Sequence, residues 1–405
     1  MKPEQIRRLD SLFGKPLCAF LTVYDRLRHP FGRKAPSKPK RILFVKLIEM
    51  GSTVIAAPAF AEAVRMVGRD NIFILVFQEN RPIVDILPFF PPENVITVDA
   101  RSLGRFAGGL LKALGRIRRE TIDTAIDLEG LTRSSAIITY LTGAVNRVGY
   151  YNFTSEGPFR GRLFTHELNY GFQHHTWKTF LGMVRALGAA PHDIPALKQR
   201  IPDADLALPS FAPTGDETEN VQRLLRTLTG RDRTRPLVLL NPNCSDLLPL
   251  RRWADEKFIE LAKRILGANP DATVGITGAP GERKEAEAMA DRIGQPRRCF
   301  SMAGQTTLRE LLALYGLSDI LVSNDSGPCH FAALTPIRVV ALFGPETPLL
   351  YGPLSRNAVA ISAGLACSPC VNMLNHRFSP CNDNKCMQAI SVDQVFDKVQ
   401  EWLKA

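Results

Sequence analysis

Long apolar runs are missing from this chain of 405 residues. None approaches the ~18 to 20 residues a helix needs to cross a bilayer. The apolar patch Pro16 to Tyr24 is short, runs into charge and lacks a small-residue cleavage site, so it is not expected to be a signal peptide. The protein is therefore expected in the cytoplasm. Cysteine is sparse, eight in all, which suits reduced thiols or metal ligands better than a disulfide framework. Acidic residues are outnumbered, 40 against 51 Lys and Arg, for a net charge of +11. Such an excess can meet nucleic acid, acidic substrates or anionic lipid. No zinc-finger spacing or Arg-rich aromatic ladder is present, which argues against a nucleic-acid partner. No G-x-G-x-x-G follows the first strand, which weakens a nicotinamide-dinucleotide reading. The adjacent His174 and His175 point different ways on a helix and make no metal pattern.

What is present organises well. An apolar share of 45% can fill large cores, and the length implies two domains. The charge excess is local. Residues 1–41 hold eleven Lys and Arg against three Asp and Glu, a net +8. Within this arm two short amphipathic helices are expected, broken at Gly14-Lys15-Pro16. Leu9, Leu12 and Phe13 line one face of the first; Leu17, Phe20, Leu21, Tyr24 and Leu27 fit helical spacing on the second. Residues 29–40 read as a basic, Pro-rich linker. The arm either packs as an extra helical pair on the first domain or rests on anionic headgroups.

Apolar strands then alternate with helical patterns, at Ile42–Leu47, Ile72–Phe77, Val95–Val98, Thr124–Leu128 and Val148–Tyr150. The alternation resumes at Leu237–Leu240, Val274–Thr277, Ile320–Val322 and Val339–Phe343. This implies parallel doubly wound sheets with active groups at the strand C-termini. Five prolines from Gly188 through Pro213 mark a junction near residues 195–210. The division is an arm at 1–40, a first domain at 41–200, a second at 201–390 and a terminal helix at 391–405. That last helix could cross back to the first domain.

The segment Ser323 to Pro348 is the centre of the pattern: strand, tight polar loop, short helix, strand and a second loop, Gly344 to Pro348. Asp325 or Ser326 can cap the helix, Gly327 permits close backbone approach, and Pro328 suits its first position. Amides at such a helix start favour a phosphate, and His330 would face the same crevice. Farther on, Cys367-x-x-Cys370, Cys381 and Cys386 form a compact four-thiol group. It could enclose a structural zinc, or remain thiols.

The motif Asn324-Asp325-Ser326-Gly327-Pro328-x-His330, followed by Ala332-Ala333 and Phe343-Gly344-Pro345-x-x-Pro348, resembles glycosyltransferase family 9, the bacterial lipopolysaccharide heptosyltransferases. Further matches are Arg147-Val148-Gly149-Tyr150, Arg251-x-Trp253, the turn ending at Glu282, and the cysteine tail. The resemblance implies a GT-B-like α/β fold: two Rossmann-like parallel-sheet domains facing a cleft, with the basic helical arm added. It implies an inverting, metal-independent transfer of a heptose-like sugar from a nucleotide-sugar donor, ADP-heptose by family habit. The acceptor would be lipid-linked or core oligosaccharide, reached from the inner face of the cytoplasmic membrane. On the donor side, Arg251, Ser326, Gly327 and His330 would meet the diphosphate and Glu282 the nucleoside, with Asp325 orienting the loop or a donor hydroxyl. Arg133 and Arg147 would shape the acceptor side.

One position departs from the pattern. Gly51 is followed by Ser52 where the family carries an Asp, the favoured base. A hydroxyl of ordinary acidity cannot take a proton unless a neighbour activates it. Glu49 in the same loop can supply the carboxylate; Asp127 and Glu129 after a later strand are alternatives. If no base is present, the chain binds a nucleotide sugar without transferring it. A different donor is a further alternative.

Overall fold

The computed structural model describes residues 3–29, 37–130, 132–151, 158–190, 193–231, 235–245, 248–375 and 377–404, with side chains from residue 10 onward. Most of the predicted linker, residues 30–36, and the Leu9 side chain lie outside this set. The chain divides into two compact units. The first is Met1–Ala207 with Met373–Arg377; the second is Leu208–Asn372 with Phe378–Ala405.

The first unit holds a six-stranded sheet: β1 (Ile42–Val45), β2 (Ile72–Phe77), β3 (Val95–Val98), β4 (Thr124–Asp127), β5 (Asn146–Tyr150) and β6 (His166–Leu168). Its order is β3-β2-β1-β4-β5-β6, and each neighbouring pair is parallel. All four residues of β1 are buried, so both sheet faces are covered, as a parallel sheet requires. Leu43 and Val45 pack with Ala113, Leu114 and Ile117 of the Leu103–Arg119 helix. Phe44 points the other way and meets Phe60 edge-on at 4.9 Å.

The second unit repeats the design with β7 (Leu237–Asn241), β8 (Thr273–Ile276), β9 (Cys299–Ser301), β10 (Ile320–Asn324), β11 (Arg338–Phe343) and β12 (Ala358–Ser362). Its order is β12-β11-β10-β7-β8-β9, again parallel throughout. Trp253 is fully buried here, its indole N–H donating to the Ile390 carbonyl at 3.0 Å. In both units the strand order reverses beside the first strand, between β1 and β4 and between β7 and β10. Such switch points open a crevice at the strand C-termini, where ligands bind.

Two expectations need correction. The arm is a single helix, Pro3–Arg28, with Pro16 inside it. Gly14 does not break the helix but lets it dock: a Cβ there would lie 2.8 Å from the Arg133 Cβ. The terminal helix, Val392–Lys404, stays on the second unit, where Val395 and Val399 join the core beside Phe258 and Leu261.

Candidate active site

In the first unit the chain leaves β1 through Lys46, a lysine only 2% exposed. Its ammonium donates to the Ile48 carbonyl and pairs with Glu129 at 3.0 Å, and Glu129 also accepts from the Ile48 amide at 3.0 Å. Glu129 is therefore committed to shaping the loop. Asp127 is fully buried against the Arg160 guanidinium and accepts from the Ser135 hydroxyl at 2.8 Å. Burial pushes its carboxyl up, against the pull of Arg160. Both alternative bases are thus buried and engaged by a cation.

Glu49 differs. Its backbone is left-handed, φ 67°, at the start of the Met50–Ile55 helix. A non-glycine residue in that region carries strain, and such strain gathers at functional loops. Its Oε2 lies 3.2 Å from the Ser52 hydroxyl, which also donates to the Glu49 carbonyl at 3.0 Å. The loop thus brings together the two residues expected to share the base function. Arg377, from the segment grouped with this unit, pairs with Glu49 Oε1.

The two arginines expected on the acceptor side are occupied otherwise. Arg133 is 3% exposed; it pairs with Asp10 of the arm at 3.1 Å and donates to the Phe159 carbonyl at 2.9 Å. Arg147 donates to the Leu163 and Ala144 carbonyls at 2.7 and 2.6 Å and lies over the Tyr140 ring. Both bridge loops and elements, and neither presents a free guanidinium.

In the second unit, β7 and β10 deliver a connected polar floor. Asn324 ends β10, accepting from the Trp253 amide at 3.1 Å and donating to the Pro242 carbonyl at 2.8 Å. This ties the loop after β7 to the loop after β10. Arg251 is carried to Asp325, with Nη1 to Oδ2 at 3.6 Å. The Arg251 Nε is buried without an acceptor among the described residues. The Gly327–Phe331 helix follows, with Ser326 at its N-cap position. Ser326 does not cap by its side chain: the hydroxyl donates to the Asn324 carbonyl at 3.1 Å. Among the described residues no group accepts from the Ser326 and Gly327 amides. A Cβ on Gly327 would meet the tip of the Phe331 ring at 2.9 Å, so glycine lets that ring pack close.

His330 is 7% exposed, and its ring comes within 4.8 Å of a carboxylate oxygen of Asp325 and the Cys329 sulfur. That trio is a poor cation site. Arg251 already faces the carboxylate, and burial first, then Asp325, pushes the Cys329 thiol up to about 12. Glu282 accepts from the Ala279 amide at 2.6 Å and so closes its own turn. The four tail cysteines are free thiols, and no three of their sulfurs share a 4.8 Å cluster. Cys370 donates to the Ser379 hydroxyl at 3.5 Å and Cys381 to the Asp383 carbonyl at 3.1 Å. As arranged, they do not fit a tetrahedral zinc.

Sequence reasoning missed Lys46, Arg160 and Arg377 as site-building residues. A lysine inside an apolar strand was a usable signal, since lysine is seldom buried unpaired. Arg377 had none, because it meets Glu49 across 328 positions of chain.

Comparison with known proteins places these features in a family. The chain is similar to lipopolysaccharide heptosyltransferase 2 of Salmonella typhimurium, 28% identical over 159 residues, 39% of this chain and 45% of that protein. It is similar to lipooligosaccharide heptosyltransferase 2 of Haemophilus influenzae, 26% identical over 260 residues, 64% and 70% of the two chains. It spans about half the length of several curated relatives it matches. Among solved structures it resembles the ADP-heptose lipopolysaccharide heptosyltransferase II of Escherichia coli, with TM-score 0.67 and 18% identity over 90% of this chain and 98% of that one. A glycosyl transferase family 9 structure from Veillonella parvula gives TM-score 0.68 and 18% identity over 91% and 99%. These likenesses establish a two-domain GT-B-like α/β fold. The family model for glycosyltransferase family 9 (heptosyltransferase) matches residues 110–378, and the chain belongs to that family.

Proposed function

We propose that this protein is an inverting glycosyltransferase that moves a heptose from a nucleotide-sugar donor, ADP-heptose, to a lipid-linked or core oligosaccharide acceptor of lipopolysaccharide. The observation that carries the reading is the convergence of Arg251 on the Asp325–Gly327 loop at the β7/β10 switch point, where two amides are unspent. A diphosphate suits that combination: a forked cation on one side, backbone donors on the other. Asp325 would hold Arg251 and the loop in register.

In the transfer, Glu49 takes the proton of the acceptor hydroxyl, directly or through Ser52. The acceptor oxygen then forms a bond to the anomeric carbon as the bond from that carbon to the diphosphate oxygen breaks, inverting the centre. Negative charge grows on the departing nucleoside diphosphate and is met by Arg251 and the Ser326 and Gly327 amides. His330 assists from the helix. No step in this scheme calls on a metal. A zinc on the tail cysteines would require those thiols to be drawn together; metal analysis finding no zinc that Cys367→Ser removes would dispose of it.

Arg377 favours a second reading. Its guanidinium holds Glu49 Oε1, and a carboxylate kept in that pair is not offered to an acceptor hydroxyl, so the chain would bind a nucleotide sugar without turning it over. Sugar transfer by the unaltered protein, Glu49→Gln and Ser52→Ala separates the two. The transferase reading expects turnover that Glu49→Gln lowers by roughly 10²- to 10⁴-fold. Donor binding with no turnover in the unaltered protein would overturn it. A thermal-shift panel of nucleotide sugars tests the donor, because only a ligand preferring the folded state raises the melting point.

A further inference from the structure

The arm helix has two unlike faces. Gly14, Cys18, Leu21 and Asp25 are buried, repeating at helical spacing toward the Arg133–Leu141 helix. Turned away from them, Leu12, Phe13, Leu17, Phe20, Val23 and Leu27 are between 41% and 75% exposed. At 3.6 residues per turn these six cover an arc of roughly 140°. Exposed Lys15 and Arg26 border one side of that arc and exposed Arg28 the other.

The helix is held in this orientation. The Asp10 carboxylate accepts from the Arg133 and Ser134 amides at 3.1 and 3.0 Å and pairs with the Arg133 guanidinium. Thr22 accepts from the Arg162 amide at 3.0 Å. Large aromatic and aliphatic side chains are thus fixed outward where burial would normally place them inward.

We propose that this face is a docking surface for an anionic phospholipid bilayer, with the helix lying in the plane of the headgroups. Charge selects the occupant. The arm's net +8 would repel a second copy of itself and attract anionic headgroups. An apolar stripe rimmed by Lys and Arg is the pattern of an interfacial helix, and no described helix is long and apolar enough to span a membrane. The inference deepens the lipid-linked-acceptor reading by holding the Glu49 loop's own unit at the lipid surface. The binding test needs no turnover, so the two can fail separately.

The test is co-sedimentation of the full chain with phosphatidylglycerol/phosphatidylcholine vesicles and with pure phosphatidylcholine vesicles. Partitioning to the anionic vesicles should exceed the neutral ones by about tenfold and fall as salt is raised. Phe13→Glu with Phe20→Glu should lower it by about tenfold, while thermal melting stays in place because both sites are exposed. Lys15→Glu, Arg26→Glu and Arg28→Glu together should remove the preference for anionic lipid. Equal binding to both vesicle types, or binding unaffected by the Phe pair, would overturn the proposal. So would a dimer, seen by sedimentation equilibrium, that the Phe pair dissolves in a protein that ignores vesicles.

Discussion

Arg251 stands where a cation and a set of backbone donors meet, and its fork geometry is what a lysine could not reproduce. Arg251→Ala should lower kcat/KM for the donor by roughly 10- to 100-fold, the equivalent of one charge-assisted pair. Arg251→Lys should fall between, and unchanged kinetics in both would remove the residue from the donor site. The Asp127–Arg160 pair makes the opposite kind of prediction. Truncating one member strands a buried charge, so Asp127→Ala should cost about 3–5 kcal/mol in urea unfolding. Low activity in a fully folded, equally stable Asp127→Ala protein would show that Asp127 does chemistry after all.

His166 is 1% exposed, and burial lowers its pKa. The native state therefore disfavours the charged ring, while the unfolded chain takes up a proton near its ordinary value, about 6.5. Stability is complete above that value and is lost as pH falls below it toward the lower native pKa. The melting temperature should drop between about pH 7 and pH 5 in the unaltered protein and less in His166→Gln. Parallel curves would show that the ring does not titrate there.

Among elements, the arm helix has the most exacting seat. Gly161 has φ +66°, and a Cβ on it would lie 2.7 Å from the Cys18 carbonyl oxygen and 2.4 Å from the Thr22 hydroxyl. Gly161→Ala should destabilise the first unit by about 1–3 kcal/mol and speed hydrogen exchange in residues 10–28. Protection as in the unaltered chain would mean that the loop yields. The predicted break at Gly14 was wrong because a glycine that opens a helix and one that admits a neighbour look alike in sequence. Strands were legible where both faces are buried, as in Ile42–Val45 or Val339–Phe343. The three that escaped, β6, β9 and β12, are all edge strands. An edge strand is paired on one side only and can be as short as three residues, as β6 and β9 are.

At the scale of the whole molecule, two units with separate cores should not melt as a single two-state system. A donor that binds the β7/β10 switch should raise the transition reported by Trp253, which is buried in the second unit. At a hundredfold excess over Kd the gain is about 2.7 kcal/mol. Calorimetry with donor should move that transition more than the one belonging to the first unit; an equal shift in both would place the ligand elsewhere or couple the units.

Local patterns in the chain were enough to specify the alternating β/α order, the parallel sheets and the Asn324–His330 loop. Each depends on neighbours within a few residues: buried runs make strands, and a polar turn before Pro328 starts a helix. Tertiary structure decided what each charged group does. Glu49, Asp127 and Glu129 are the same chemical type at or just beyond strand C-termini of one sheet, and sequence could not rank them. Their partners Ser52, Arg160 and Lys46 lie at separations from 3 to 83 residues, and an ion pair depends on distance in space, which chain separation does not report. The same reason explains why the arm's two faces were indistinguishable until one was packed: both satisfy helical spacing, and only the neighbouring helix determines which is buried.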